Sequence, residues 1–293
     1  MNRIIDAIKG FYKYFRSQGL SAAFAYTVRS VRLYNLPTTA EFLESDKDQS
    51  PRQIDLALVI GESDYEIADH AIRSILNLSI NPVRSIRIIS QNEKFRLGFT
   101  PKVPVTYHLD QDFVSPELLS SIKQKLGARA GWATQQSLKC LLANEADITT
   151  VIVDADTVFQ KPTLFVQSSG KVLLPCIPSR NPNYDRALSF FGLERRFYDF
   201  SYVMHFIVVN PSSTKTRLET LGLYPPSACL ETILSLNSND FGVDYELIGE
   251  LTYRSDPLYR ELVKVRNKTG LRKDINTREA SFDSISFHHY AQG

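Results

Sequence analysis

The stretch TTVIVDADTVF, residues 149–159, decides the fold. A run of β-branched and apolar residues ends at Asp154, and Asp156 follows one residue later, where a chain would leave a sheet. A short apolar run of this kind reads as a buried strand. Two carboxylates at that spacing point into the same crevice edge. They suit a hard divalent cation, which prefers oxygen ligands and keeps positions open for phosphate oxygens. The competing reading makes Asp154 and Asp156 ordinary turn and cap residues, since Asp is common at strand ends.

Immediately upstream, GWATQQSLKCLLAN (131–144) has helical spacing. Leu138, Leu141 and Leu142 share its core face. At about 100° per residue, Trp132, Gln135 and Lys139 fall together along one flank. A lysine there can snorkel toward a crevice and meet a phosphate as a point charge. Otherwise Gln135 and Lys139 face solvent and Trp132 fills core.

Working outward, Ile54–Ile60 is a second apolar run, followed by Gly61 and an amphipathic helix carrying Ile67, Ala71, Ile72, Ile75 and Leu76. Residues 85–90 (SIRIIS) and 103–108 offer further strands, and 116–126 another helix. This β-α-β-β-α order predicts an α/β fold with a mainly parallel, doubly wound sheet. Ligands of such sheets gather at the carboxyl ends of the strands. Beyond the DADTVF strand, 171–174, 206–210 and 284–288 read as strands among loops rich in proline and aromatics.

An apolar strand followed by DxDxT also fits a haloacid-dehalogenase-like phosphatase, with Asp154 as nucleophile. That family carries the motif on its first strand and a paired acidic motif further on. Here about 100 residues of α/β pattern precede it, and no DD or GDxxxD follows residue 160.

Taken together, the GW-x-x-QQ-x-x-K helix and the DADTVF strand resemble a set of bacterial proteins with the GT-A glycosyltransferase fold. DYELIGE (244–250) looks like that family's tyrosine-glutamate-x-x-glycine segment, and SYVMH (201–205) like its serine-aromatic-x-x-histidine stretch. The resemblance spans roughly residues 54–290. It implies a GT-A-like mixed, mainly parallel sheet flanked by helices. Asp154 and Asp156 would hold Mn²⁺ or Mg²⁺ on the diphosphate of a nucleotide-sugar donor, with Asp154, Trp132, Gln135 and Lys139 on the donor side. In that fold, acids placed as Asp244 and Glu246 are contact the sugar hydroxyls or serve as general base; the alternative is surface acids on a helix. Asp64, after the first strand, becomes a nucleoside contact or else part of a helix N-cap region.

A third metal ligand is expected from SISFHHYAQG (284–293), because neutral imidazole suits a Mn²⁺-like ion. Strand side chains alternate, so His288 and His289 point to opposite faces. With Ile285 and Phe287 facing core, His289 falls on their side, and alternation favours it over His288. A polar tail is the competing reading. His70, His108 and His205 have no comparable context.

Composition bounds the rest. The 293 residues are 43% hydrophobic, enough for a sizeable core, and 34 basic against 32 acidic residues give no footprint for nucleic acid. Three well-separated cysteines fit neither a disulfide framework nor a zinc site. No apolar stretch approaches the length of a spanning helix. The first 35 residues hold six basic side chains and one acid, with Ile4, Ile5, Ile8, Phe11, Tyr12 and Phe15 at helical steps. That pattern is either a peripheral anchor on an anionic membrane or a helix docked on the domain. The expected organisation is a basic helical extension (1–37), a polar linker (38–53) and a GT-A-like domain (54–293). The expected activity is metal-dependent glycosyl transfer from a nucleotide-sugar to a hydroxyl of a glycan or glycolipid, in surface polysaccharide or glycolipid synthesis on the cytoplasmic side. A catalytically silent nucleotide- or sugar-binding module is the remaining class.

Overall fold

The computed structural model of the chain describes residues 35–46, 50–93, 95–177, 182–194, 200–235, 244–255 and 257–288, with scattered positions between 11 and 31. Five strands form the central sheet: β1 (Ile54–Ile60), β2 (Val83–Ser90), β3 (Val105–Leu109), β4 (Thr150–Asp154) and β7 (Phe206–Val209). Their order is β3-β2-β1-β4-β7, parallel except for the antiparallel edge strand β7. The fold is therefore mixed α/β with a mainly parallel sheet.

Apolar residues continue through β1 and β4 because both faces of the sheet are covered. On one face Ala57, Val59 and Ile152 pack with Leu138, Leu141 and Leu142 of α4 (Ala130–Asn144) and with Leu247 and Ile248 of α8 (Asp244–Tyr253). On the other, Leu56, Leu58, Ile60, Val151 and Val153 pack with Ile72 and Ile75 of α2 (Tyr65–Leu78). A one-residue slip would exchange these sets, so the packing holds the register. The chain runs outward from β1 to β2 and β3, then returns through α3 (Pro116–Leu126) and α4 to β4 on the other flank of β1. That reversal is a topological switch point, and it opens a crevice at the carboxyl ends of β1 and β4.

Two small sheets complete the second half. In one, β5 (Thr157–Phe159) pairs antiparallel with β10 (Ser284–Ser286), which pairs parallel with β9 (Asn267–Thr269). In the other, β6 (Val172–Cys176) lies parallel to β8 (Arg260–Lys264). The β5–β10 ladder, with Ser286 opposite Thr157, carries the end of the chain back to the DADTVF turn. Helices α5 (Pro182–Phe190), α6 (Pro211–Thr220) and α7 (Pro226–Ser235) fill the remaining connections.

The expected linker is corrected at its start. Thr39–Glu44 is a short helix, α1, opened by a Thr38–Glu41 capping box. Its Phe42 is fully buried in the core, and Thr39 donates to Asp283, so polar composition there reflects capping rather than solvation. Most of the N-terminal stripe at 4–15 lies outside the described residues. No helix among the described residues is long and apolar enough to cross a membrane.

Candidate active site

The crevice at the switch point has a volume of about 580 Å³. Its rim after β1 is Gly61–Asp64; its floor is Asp154–Asp156; α4 contributes Trp132, Gln135 and Lys139, and α8 contributes Asp244 and Tyr245. His205 and His288 close the side next to the DxD turn. The flank read from helical spacing on α4 thus faces the crevice as a unit.

Lys139 does not reach into the crevice as a free charge. It is only 4% exposed, with Nζ 2.6 Å from Asp154 Oδ1 and 2.8 Å from Asp244 Oδ2. Burial disfavours its ammonium form, but the two carboxylates outweigh that and raise its pKa above the ordinary lysine value. Nζ also sits 4.2 Å from the centre of the Tyr245 ring. The free point charge expected of Lys139 is not what the crevice holds: two of its three N–H donors fix the two acids.

Asp154 is held from three sides. Oδ1 accepts from Lys139 and from Tyr245 Oη at 2.6 Å, and Oδ2 lies 3.0 Å from His205 Nδ1. Burial alone would raise its pKa, yet Lys139 and His205 prevail and hold the carboxyl well below the usual carboxylate range. The same surroundings push the Tyr245 hydroxyl up, through burial first and then the charges of Asp154 and Asp244. Tyr245 is therefore a donor to Asp154 at any physiological pH.

His205 is a site residue that sequence reasoning passed over. Its φ of 62° is in the left-handed region, which for a non-glycine residue costs of order 1 kcal/mol or more. The conformation lets one residue address Asp154 twice. The His205 carbonyl accepts from the Asp154 N–H at 2.9 Å, while the imidazole meets the carboxylate. The SYVMH segment was legible as a motif, but the strain that turns its histidine inward has no signature in composition.

Asp156 pairs with His288, with Nδ1 2.7 Å from Oδ2. Burial lowers the pKa of His288, but the hydrogen bond and charge of Asp156 dominate and raise it. The two imidazoles lie 4.6 Å apart, centre to centre. This corrects the alternation argument that favoured His289. Ile285 and Phe287 enter a small apolar cluster with Ile67 and Val158, away from the turn. The row that leads to Asp156 is Ser284, Ser286, His288, with Ser286 Oγ 2.9 Å from Thr157 Oγ1. His289 itself lies outside the described residues.

The remaining candidates separate. Asp64 lines the crevice and occupies the N-cap position of α2 without capping it; its carboxylate meets Arg272 at 2.5 Å instead. Burial and the charge of Asp156 raise its pKa, and Arg272 offsets part of that. Glu246 is corrected as a crevice acid. It is fully buried, on the side of α8 that accepts a hydrogen bond from Ser201, because one residue along the helix from Tyr245 turns it about 100° away.

Charge balance tests whether a cation fits. Glu62, Asp64, Asp154, Asp156 and Asp244 line the crevice, against Lys139 and Arg272 as nearby cations. The acids outnumber the cations, and that excess of negative charge favours a bound cation. Among the described residues no three His, Cys, Asp or Glu side chains form a finished metal cage. Asp154 has both oxygens engaged, and Asp156 meets His288 through Oδ2 and Thr157 Oγ1 through Oδ1 at 3.4 Å; Asp156 and His288 bring an oxygen-bearing and a nitrogen-bearing side chain together on the crevice wall. That pair fits a Mn²⁺-like ion with positions open to a ligand.

No family model matches the sequence, and no curated protein is recognisably similar to it. Among solved structures, mouse xyloside xylosyltransferase 1 in its apo form matches at 12% identity. The match covers 82% of this chain and 99% of that one, with a TM-score of 0.45. What the crevice can do follows from its own side chains.

Proposed function

We propose that the chain is a metal-dependent glycosyltransferase of GT-A-like fold, with residues 54–293 as its catalytic unit. It would transfer a sugar from a nucleotide-sugar to a hydroxyl acceptor. The observation that carries this reading is the pair of Asp–His contacts, Asp154–His205 and Asp156–His288, side by side at a switch-point crevice with excess negative charge. An acid-rich crevice repels a bare diphosphate, so a nucleotide ligand there requires a bridging cation. Asp156 and His288 would hold Mn²⁺ or Mg²⁺, with Asp154 beside them. When bound, the ion neutralises the charge that grows on the leaving nucleoside diphosphate.

The protein's own groups supply position. Lys139 and Tyr245 keep Asp154 ionised and oriented. Lys139 fixes Asp244 at the crevice floor, where its carboxylate faces the space for the donor sugar's hydroxyls. Trp132 and Gln135, opposite Gly61–Asp64, frame the end suited to a nucleoside. The acceptor would be a glycan or glycolipid of surface polysaccharide or glycolipid synthesis. Membrane proximity has one supporting feature: Leu20, Phe24 and Val31 are helical positions exposed by 64%, 67% and 53%. They belong to the segment with six basic residues and one acid, which suits peripheral contact with an anionic inner leaflet.

The test is a thermal-shift panel of nucleotide-sugars with and without Mn²⁺, on the full chain and on Asp156→Asn. One donor should raise the melting temperature of the parent in a metal-dependent way and leave the variant unmoved. Stabilisation by every nucleotide in chelator, or by none in any condition, would sink the reading.

A further inference from the structure

Arg272 lies outside the crevice yet touches both of its walls. It follows β9 in a short 3-10 turn, Arg272–Asp274, and its side chain is about one-fifth exposed. Nη1 donates to the Ser63 carbonyl at 2.5 Å and Nη2 to Asp64 Oδ1 at 2.5 Å. Nε donates to the Phe287 carbonyl at 3.2 Å. Ser63 and Asp64 form the rim after β1, and Phe287 immediately precedes His288. The Phe287 N–H in turn donates to the Asp156 carbonyl at 2.9 Å. One planar guanidinium thus links the β1 rim to the residue before His288, and a backbone bond carries the link on to the DxD turn.

The approach of Arg272 depends on its neighbour. A Cβ at Gly270 would fall 2.7 Å from Ile285 Cγ2 and 2.7 Å from Phe287 Cε1, closer than such atoms come. Glycine there lets the segment lie flat on β10, with the Gly270 N–H donating to the Ser286 carbonyl at 2.9 Å. The three acceptors of Arg272 are then spread over two separate chain segments. A lysine ammonium presents one point charge and cannot span that arrangement as a rigid fork does.

We propose that Arg272 is a positioning residue that fixes the width of the crevice and the orientation of His288 by tying Ser63 and Asp64 to Phe287. It acts through those residues and does not itself contact a ligand. The metal-binding consequence rests on the transferase reading; the effect on His288 does not.

Arg272→Gln and Arg272→Lys test it in the full chain. In metal-free protein, the imidazole ¹⁵N resonances of His288, assigned by comparison with His288→Ala, should shift or broaden in both variants. Those of His108, on the edge strand β3 of the central sheet, should stay in place. Mn²⁺ titrated alone should bind about tenfold more weakly to either variant, the scale seen when support around a metal ligand is removed. If Arg272→Gln fails to fold, Arg272→Lys, which keeps the charge beside Asp64, provides the same readouts. Unchanged His288 resonances in folded variants would overturn the proposal. A parent that binds no Mn²⁺ would instead refute the metal reading, while the His288 resonances still decide the role of Arg272.

Discussion

His288 and Asp156 are 132 residues apart in sequence, and their side chains meet at 2.7 Å. The contact exists because β10 pairs with β5, the strand that leaves the DxD turn, so His288, just beyond β10, returns to Asp156. The expected outcome of His288→Ala is at least about tenfold weaker Mn²⁺ binding in the presence of nucleoside diphosphate, with folding intact. Calorimetric titration measures this. His205→Ala serves as the comparison, since His205 meets Asp154 and not Asp156. Parent-like affinity in both variants would remove His288 and His205 from the metal shell.

How far the sequence carried this site depends on range. Strands β1 and β4 and helix α4 are legible because each buries a local apolar period, and the flank Trp132–Gln135–Lys139 follows from the same helical geometry. Asp154 and Asp156 are legible because a polar pair after an apolar strand has few other places to go. The partners of those groups are not. That Lys139 would be shared between Asp154 and Asp244 depends on α8 packing beside α4, and nothing in either segment encodes that neighbour. The approach of His288 to Asp156 was out of reach for a related reason: which row of β10 meets the site depends on how β10 pairs with β5. Glu246 shows the reverse error: an acid in a motif was read as functional, and the helix turns it into the core.

Chemistry at the cysteines offers a check on the core. Cys140, Cys176 and Cys229 are all buried and free. Burial pushes the Cys176 thiol up to about 12 from an ordinary value of 9.0. A raised folded pKa contributes stability fully present below pH 9.0 and lost as pH rises toward 12. Iodoacetamide at neutral pH should therefore leave Cys176 unlabelled in native protein and label it rapidly in urea. Mass spectrometry that finds native Cys176 alkylated at the denatured rate would contradict the packing of β6.

The exposed side chains of Leu20, Phe24 and Val31, in a basic segment, predict binding to anionic vesicles that weakens with salt. Sedimentation with vesicles of phosphatidylglycerol and phosphatidylcholine should carry down the full chain, and vesicles of phosphatidylcholine alone should not. Phe24→Ser with Leu20→Ser should reduce the bound fraction several-fold without altering the melting temperature. If those replacements lower the melting temperature instead, the side chains belong to the fold and the membrane reading fails.

The Lys139 clamp makes the most demanding prediction, because it combines a sign, a magnitude and a pH range. Lys139→Met removes the cation shared by Asp154 and Asp244 and keeps a side chain of similar length. Two carboxylates then remain near each other in a largely dry setting. Breaking a buried ion pair this way costs about 3–5 kcal/mol; Asp154 keeps 22% exposure, which places the expected loss near about 3 kcal/mol. The pH dependence follows from Asp154, whose folded pKa is depressed below its ordinary 3.8 mainly by Lys139 against the opposing effect of burial. That depression contributes stability above pH 3.8 and is lost as pH falls through the lower folded value. The gap between parent and Lys139→Met in urea unfolding should therefore be widest near neutrality and shrink below about pH 4, where the variant's carboxyls protonate. Adding Asp244→Asn to Lys139→Met should recover part of the loss by removing one of the stranded charges. A gap that stays constant from neutral to acid pH, or a double variant less stable than Lys139→Met alone, would show that Lys139 supports this site by packing rather than by charge.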